Sequence, residues 1–198
     1  IAKVKTNNRQ LHYIVWEENK FGEYLKKAEK IKPDTHNNNK ILTVKLHQKG
    51  VIASPNTDSL KEGGTNYYIR NHGQFIYGKQ NLFNGAFGLV PKELDGYLSS
   101  SDIPSLDINT EIINSRYFIY YLSRKIFYRR LESLASGTGS KRIHEDVLMK
   151  IKINLPHPEE QQKIADFLSA IDDKIEAVDS QIEQSKNFKK GLLQQMFV

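Results

Sequence analysis

The sequence predicts an α+β protein: a globular mixed α/β body over residues 1–155, followed by a long helix of coiled-coil type over residues 156–198. Three observations lead there. The first 155 residues alternate short β-type apolar runs with glycine- and asparagine-rich turns around one helical stretch. Two closely spaced prolines, Pro156 and Pro158, then interrupt the chain. Beyond them the apolar residues recur at alternating spacings of four and three, with no further proline and Gly191 as the one glycine.

In the body, residues 40–46 and 73–78 read as strands bounded by glycine or turn residues, and residues 86–90 as a third, ended by Pro91. A fourth strand around Ser105-Leu106-Asp107-Ile108 follows the turn-rich run at residues 99–102. Residues 37–39 and 62–66 are loops. A helix starts at Asn114, a capping residue, with Phe118, Leu122 and Ile126 at i+4 intervals and Leu131 and Leu134 extending the face. Gly137 is placed to stop it, and residues 138–142 form a small basic loop.

Pro158 suits the first turn of the next helix, where a missing N–H costs nothing, and Glu159 and Glu160 suit the positive end of its dipole. The seam runs through Ile164, Leu168, Ile171, Ile175, Val178 and Ile182, with Leu168, Ile175 and Ile182 at a and the others at d. Ser185 and Lys189 occupy the next two seam positions before Leu192 and Met196 resume the pattern. A helix over these residues is about 60 Å long at 1.5 Å per residue, too long a seam to face water, so a partner helix is expected. The polar interruption either fixes register or marks where pairing ends. Periodicity does not choose between parallel and antiparallel partners.

Net charge is +6, but the residues from Glu159 onward hold five Lys against eight Asp or Glu, leaving about +9 on the body. A basic body and an acidic tail point to different partners, a polyanion for the body. The chain has no cysteine, which excludes disulfides and thiolate metal sites and fits a reducing compartment. No run approaches the roughly 18 apolar residues of a membrane span, and the lysine-bearing start at Ile1 has no apolar signal core, so the cytoplasm is expected.

Catalytic signatures are missing from the sequence. It has no phosphate-binding loop, no G-x-G-x-x-G, no Asn/Asp-Pro-Pro-aromatic methyltransferase tetrapeptide and no G-x-S-x-G, and its six histidines are scattered. Asp172-Asp173-Lys174 has the D-x-K form used by metal nucleases, but it lies within the heptad helix, flanking the seam. The residue types suited to DNA, where Lys and Arg meet phosphates and Asn, Gln and Arg meet base edges, sit in the loops of the body. The candidates are Lys45, Thr65, Asn66, Arg70, Lys79, Gln80, Asn81, Lys141 and Arg142. Tyr67, Tyr68 and Phe83 fit core or hairpin positions better than stacking platforms.

The run from Leu155-Pro156-His157-Pro158-Glu159-Glu160-Gln161-Gln162 through Phe167-Leu168, then Ile171-Asp172-Asp173-Lys174-Ile175 and the ending Gly191-Leu192-Leu193-Gln194-Gln195-Met196-Phe197, resembles the conserved region of type I restriction-modification specificity subunits. Trp16-Glu17 with Phe21-Gly22-Glu23-Tyr24, residues 73–79 and residues 136–143 resemble parts of the target recognition domain of that family, so the likeness runs from Trp16 onward and leaves the first fifteen residues unassigned. The resemblance implies double-stranded DNA as ligand and a non-catalytic role. It implies adenine methyltransferase subunits that use S-adenosylmethionine, and restriction subunits that use ATP and Mg. It implies no cofactor in this chain itself. Family members carry two recognition domains and two antiparallel helices. These residues hold one of each, so a second copy, or the other half of a full subunit, is expected to pair antiparallel through Ile164, Leu168, Ile171, Ile175, Val178, Ile182, Leu192 and Met196. A stand-alone DNA-binding or coiled-coil adaptor is the competing reading, and a DNA nuclease a further one.

Overall fold

The computed structural model describes residues 2–3, 13–14, 16–33, 40–55 and 66–197. In chain order its strands are β1 (Ala2–Lys3), β2 (Tyr13–Ile14), β3 (Glu17–Lys20), β4 (Leu25–Lys27), β5 (Leu42–Val44), β6 (Val51–Ala53), β7 (Tyr67–Ile69), β8 (Phe75–Tyr77), β9 (Phe87–Leu89), β10 (Leu98–Ser100), β11 (Ser105–Ile108) and β12 (Lys152–Leu155). The α-helices are α1 (Ser115–Ser123), α2 (Lys125–Arg130), α3 (Glu145–Leu148) and α4 (Pro158–Met196). The central sheet has the order β4-β11-β8-β9, and β7–β10, β5–β6 and β3–β12 form antiparallel pairs around it. The α+β architecture with a long C-terminal helix is the one the sequence predicts, and the four expected strands are β5, β8, β9 and β11.

β8 shows why the core has two faces. Side chains alternate along a strand, so Phe75 and Tyr77 point into the main core while Ile76 points the other way, into a smaller cluster with Leu42, Val90 and Leu94. The main core is aromatic. Phe118 of α1 meets Phe75 at 5.1 Å and Phe21 at 5.3 Å, both edge-on, the arrangement that suits ring quadrupoles. Asn114 caps α1 as expected, its Oδ1 accepting from the Tyr117 N–H at 2.9 Å.

The helical stretch departs from expectation at Arg124. Its backbone is extended (φ −64°, ψ 115°), so α1 ends there and α2 begins with a new phase. Ile126 and Leu134, both expected on the buried face, are 71% and 43% exposed; Leu131 is buried as expected, and Tyr128 is buried where Ile126 was expected to be. At the break Gln48, from outside the helix, donates its Nε2–H to the Ser123 carbonyl, and the Arg124 guanidinium folds back over α1, 3.8 Å from the Tyr121 ring centroid. Gly137 does not stop the helix. The chain is extended at Ala135, and Gly137 (φ 133°) turns a closed loop in which Ser136 and Arg142 exchange backbone hydrogen bonds. A Cβ at Gly137 would sit 2.5 Å from the Ser140 carbonyl oxygen.

α4 starts at Pro158 with Glu159 and Glu160 in its first turn. β12 leads into it, and β12 is paired with β3, so the two ends of the body meet where the helix departs. Gln161, 1% exposed, fastens the joint: Oε1 accepts from the Asn114 N–H at 2.9 Å, and Nε2 donates to the carbonyls of Pro156 (3.0 Å) and Ile112 (3.2 Å). Asn114 adds a bond from Nδ2 to Gln162 Oε1. Ala165 is fully buried, and Tyr120 reaches Ser169 at 3.2 Å and Asp172 at 2.6 Å. Beyond Asp173 the helix is exposed apart from Gly191. The remaining 23 residues, Lys174 to Met196, extend it by about 35 Å. Among the described residues no helix is long and apolar enough to cross a membrane.

Candidate nucleic-acid interface

The expected DNA-contacting residues divide into exposed positions and internal ones. Lys45, at the end of β5, and Asn66, before β7, are exposed, and Gln80 is half-buried in the β8–β9 connection. Thr65 lies outside the described residues. Arg70 is an internal strut rather than a surface contact. It is 3% exposed and donates to Ser99 Oγ (2.6 Å), Ser105 Oγ (3.0 Å) and the Ile103 carbonyl (3.2 Å). Among the described residues no carboxylate pairs with it, and burial lowers its pKa to about 10, still well above neutrality. Asn81 shapes its own turn: its Oδ1 accepts from Asn84, and its carbonyl accepts from the N–H groups of Asn84 and Ala86.

The fold brings Lys79 and Arg142 together around Asp102. The Lys79 N–H donates to the Asp102 carbonyl, Arg142 pairs with the Asp102 carboxylate at 3.4 Å, and the Ile143 N–H donates to the Lys79 carbonyl. Yet Lys79, with a side chain only 12% exposed, is paired with Glu145 at 3.2 Å, and Lys141 with Glu132 at 3.3 Å. Each cation of this group faces a carboxylate, so its field on a polyanion is largely cancelled locally. Asp172, the one carboxylate with a nuclease-like spacing, accepts from the Tyr120 hydroxyl. Among the described residues no group of three His, Cys, Asp or Glu could hold a metal ion.

A second basic surface was not singled out from the sequence, apart from its member Lys45. The β5–β6 hairpin turns through His47 (φ 58°) and Gln48 (φ 60°), two consecutive non-glycine residues in the left-handed region. Such a conformation costs about 1–2 kcal/mol per residue, so the tip must be held. The His47 N–H donates to the Asn84 carbonyl and the Gln48 N–H to that of Gly85, while the Gln48 side chain bonds Ser123. Gly85 and Gly88 admit the hairpin: a Cβ at Gly85 would lie 3.2 Å from the Gln48 N, and one at Gly88 3.0 Å from Val51 Cγ2. The tip therefore rests on the α1–α2 break, beside Arg124, Lys125 and Arg129, and Arg129 bonds Asn84 Oδ1 at 2.8 Å. Among the described residues none of Lys45, Lys49, Arg124, Lys125 and Arg129 forms an ion pair. The signal in the sequence was the basic run Arg124-Lys125 and Arg129-Arg130, masked by reading the segment as a continuous helix with a buried face.

The expected seam also splits. Ile164 packs against the main core and Leu168 is half-buried. Ile171, Ile175, Val178, Ile182, Leu192 and Met196 are all exposed, Ile175 by 54%. The described chain leaves them uncovered.

Comparison with known proteins places this geometry. A family profile described as the type I restriction modification DNA specificity domain matches residues 13–185. The specificity subunit of the type I restriction enzyme MjaVIII from Methanocaldococcus jannaschii is 28% identical over 187 residues, covering 92% of this chain and 42% of that protein. The HindI specificity subunit from Haemophilus influenzae is 28% identical over 130 residues, 64% of this chain and 28% of that protein. Among solved structures, the HsdS subunit from Thermoanaerobacter tengcongensis superposes with a TM-score of 0.59 at 17% identity, over 82% of this chain and 43% of that one. The S subunit of the type I system from M. genitalium gives 0.56 at 19%, over 91% and 44%. The structural likenesses, at these identities, concern the fold. The chain spans less than half the length of these relatives.

Proposed function

The chain belongs to the family of type I restriction modification DNA specificity domains, and from that premise we propose that it reads one half of a split DNA site as the specificity subunit, or half-subunit, of a type I restriction-modification enzyme. The observation that carries the reading is the family match across both the body and most of the long helix. Residues 1–155 act as the recognition domain on double-stranded DNA, and residues 156–198 as spacer and pairing helix. Catalysis falls to partners: adenine methyltransferase subunits use S-adenosylmethionine, and restriction subunits use ATP and Mg. This chain holds no cofactor, and the assembly works in the cytoplasm.

The second element of the proposal is self-pairing. Six exposed apolar seam residues need cover, and a second helix of the same kind, from a second copy or from the other half of a full subunit, would supply it. Two copies related by a two-fold axis, their helices antiparallel, restore two recognition domains and two helices. Such a dimer reads an inverted repeat interrupted by a spacer whose length the helices set.

The test is methylation in a cell that supplies the methyltransferase subunit. With this chain present, mapping of methylated adenines should show one split motif, and replacing the chain by another specificity subunit should change the motif. Methylation independent of the chain's presence would overturn the proposal.

A further inference from the structure

We infer that the β5–β6 hairpin tip and the α1–α2 break form one continuous ridge that binds the phosphate backbone of duplex DNA, with Lys45, Lys49, Arg124, Lys125 and Arg129 as the contacting cations. The inference deepens the proposed function and rests on it. Three observations converge on the ridge.

The first is local irregularity. Two departures from regular backbone, the left-handed non-glycine pair His47–Gln48 and the extended Arg124 that separates α1 from α2, meet through the bond from Gln48 Nε2 to the carbonyl of the adjoining Ser123. Strained or interrupted backbone persists where the surroundings over-determine it, and it concentrates at functional surfaces. The second is charge. Five cations without an ion pair among the described residues collect here, whereas Lys79, Lys141 and Arg142 are each paired with a carboxylate. Unpaired cations are the ones that release counterions when they meet a phosphate. The third is rigidity. The hairpin is seated on Gly85 and Gly88 so closely that a Cβ at either position would push its neighbour aside by a few tenths of an ångström, and Arg129 is held by Asn84 Oδ1. A backbone fixed in this way meets DNA without a backbone ordering cost. Gln48, whose amide is spent on Ser123, is a positioning residue.

The experiment uses the full chain and a random-sequence 30-base-pair duplex, with binding followed by fluorescence anisotropy across a salt series. Lys49→Ala and Lys125→Ala should each make the slope of log K against log salt shallower, by about 0.9 for every phosphate that the variant no longer neutralises. Lys186→Ala, far out on α4, should leave it unchanged. Wild-type binding with unaltered slopes in both ridge variants overturns the ridge and leaves the DNA-reading proposal intact. No wild-type binding at low salt contradicts that proposal, and the ridge with it. Unaltered slopes together with loss of a co-purifying methyltransferase subunit would reassign the ridge to a protein partner.

Discussion

Replacing Gln161 by alanine isolates the joint between body and helix. The side chain makes three hydrogen bonds with the backbone, one accepted from Asn114 and two donated to Ile112 and Pro156, in a place closed to water. Each is worth about 1 kcal/mol net, and more where the abandoned partner stays buried, so the substitution should cost about 2–4 kcal/mol. With a urea m-value of about 2 kcal/mol/M, the midpoint falls by about 1–2 M. Gln161→Met keeps the volume but not the bonds and should behave similarly. Gln161→Glu keeps the acceptor for Asn114 but sets a charge against two carbonyls. It should therefore be the least stable of the three at neutral pH and recover partly on acidification, as the carboxyl regains a proton to donate. A loss under about 1 kcal/mol in the alanine variant would refute the view that these bonds fasten the helix.

Other expectations follow from the same structure. Ile175→Asp with Val178→Asp should lower self-association at least 100-fold by sedimentation equilibrium while leaving the melting of the body unchanged, and a wild-type monomer at micromolar concentration would contradict the paired seam. Gly85→Ala, with φ 76° and a Cβ 3.2 Å from backbone, should cost about 1–2 kcal/mol more in thermal melts than Gly96→Ala, where φ is 78° but nothing lies within 4 Å. Equal losses would show that the hairpin has room to move. Burial raises the pKa of Tyr24, Tyr77 and Tyr117 well above 10. These phenols stay protonated in the folded chain while the unfolded chain ionises above pH 10. Stability is thus intact below that pH and falls by up to about 4 kcal/mol per pH unit above it, as three ionisations favour the unfolded state. Urea titrations between pH 9 and 11 would show this, and a flat profile would contradict it.

The fold was legible where periodicity was long or punctuation strong. The two prolines and the seam defined α4, and glycine-bounded apolar runs located β5, β8, β9 and β11. Ile126 was misplaced because periodicity assumes an unbroken helix, and the break at Arg124, where Gln48, distant in sequence, bonds the Ser123 carbonyl, leaves no mark in the apolar pattern. Arg70 follows a strand and looks like a surface cation; its burial depends on Ser99, Ser105 and Ile103, about thirty residues away. The near-neutral grouping of Lys79 and Arg142 depends likewise on Asp102 and Glu145. Charge is countable in a sequence, but which charges cancel is decided by tertiary neighbours. Gln161 was visible as part of the motif that carries the family resemblance. Its physical reason, three backbone bonds at the joint, was not.

The central claim, that this chain reads DNA sequence as one half of a two-fold assembly, is tested most directly by selecting bound sites from a random duplex library at moderate salt and sequencing them. The account predicts an inverted repeat split by a spacer of constant length. Enrichment of an unsplit half-site would contradict the paired assembly, and no enrichment at a salt concentration where the protein remains bound to DNA would contradict sequence reading itself.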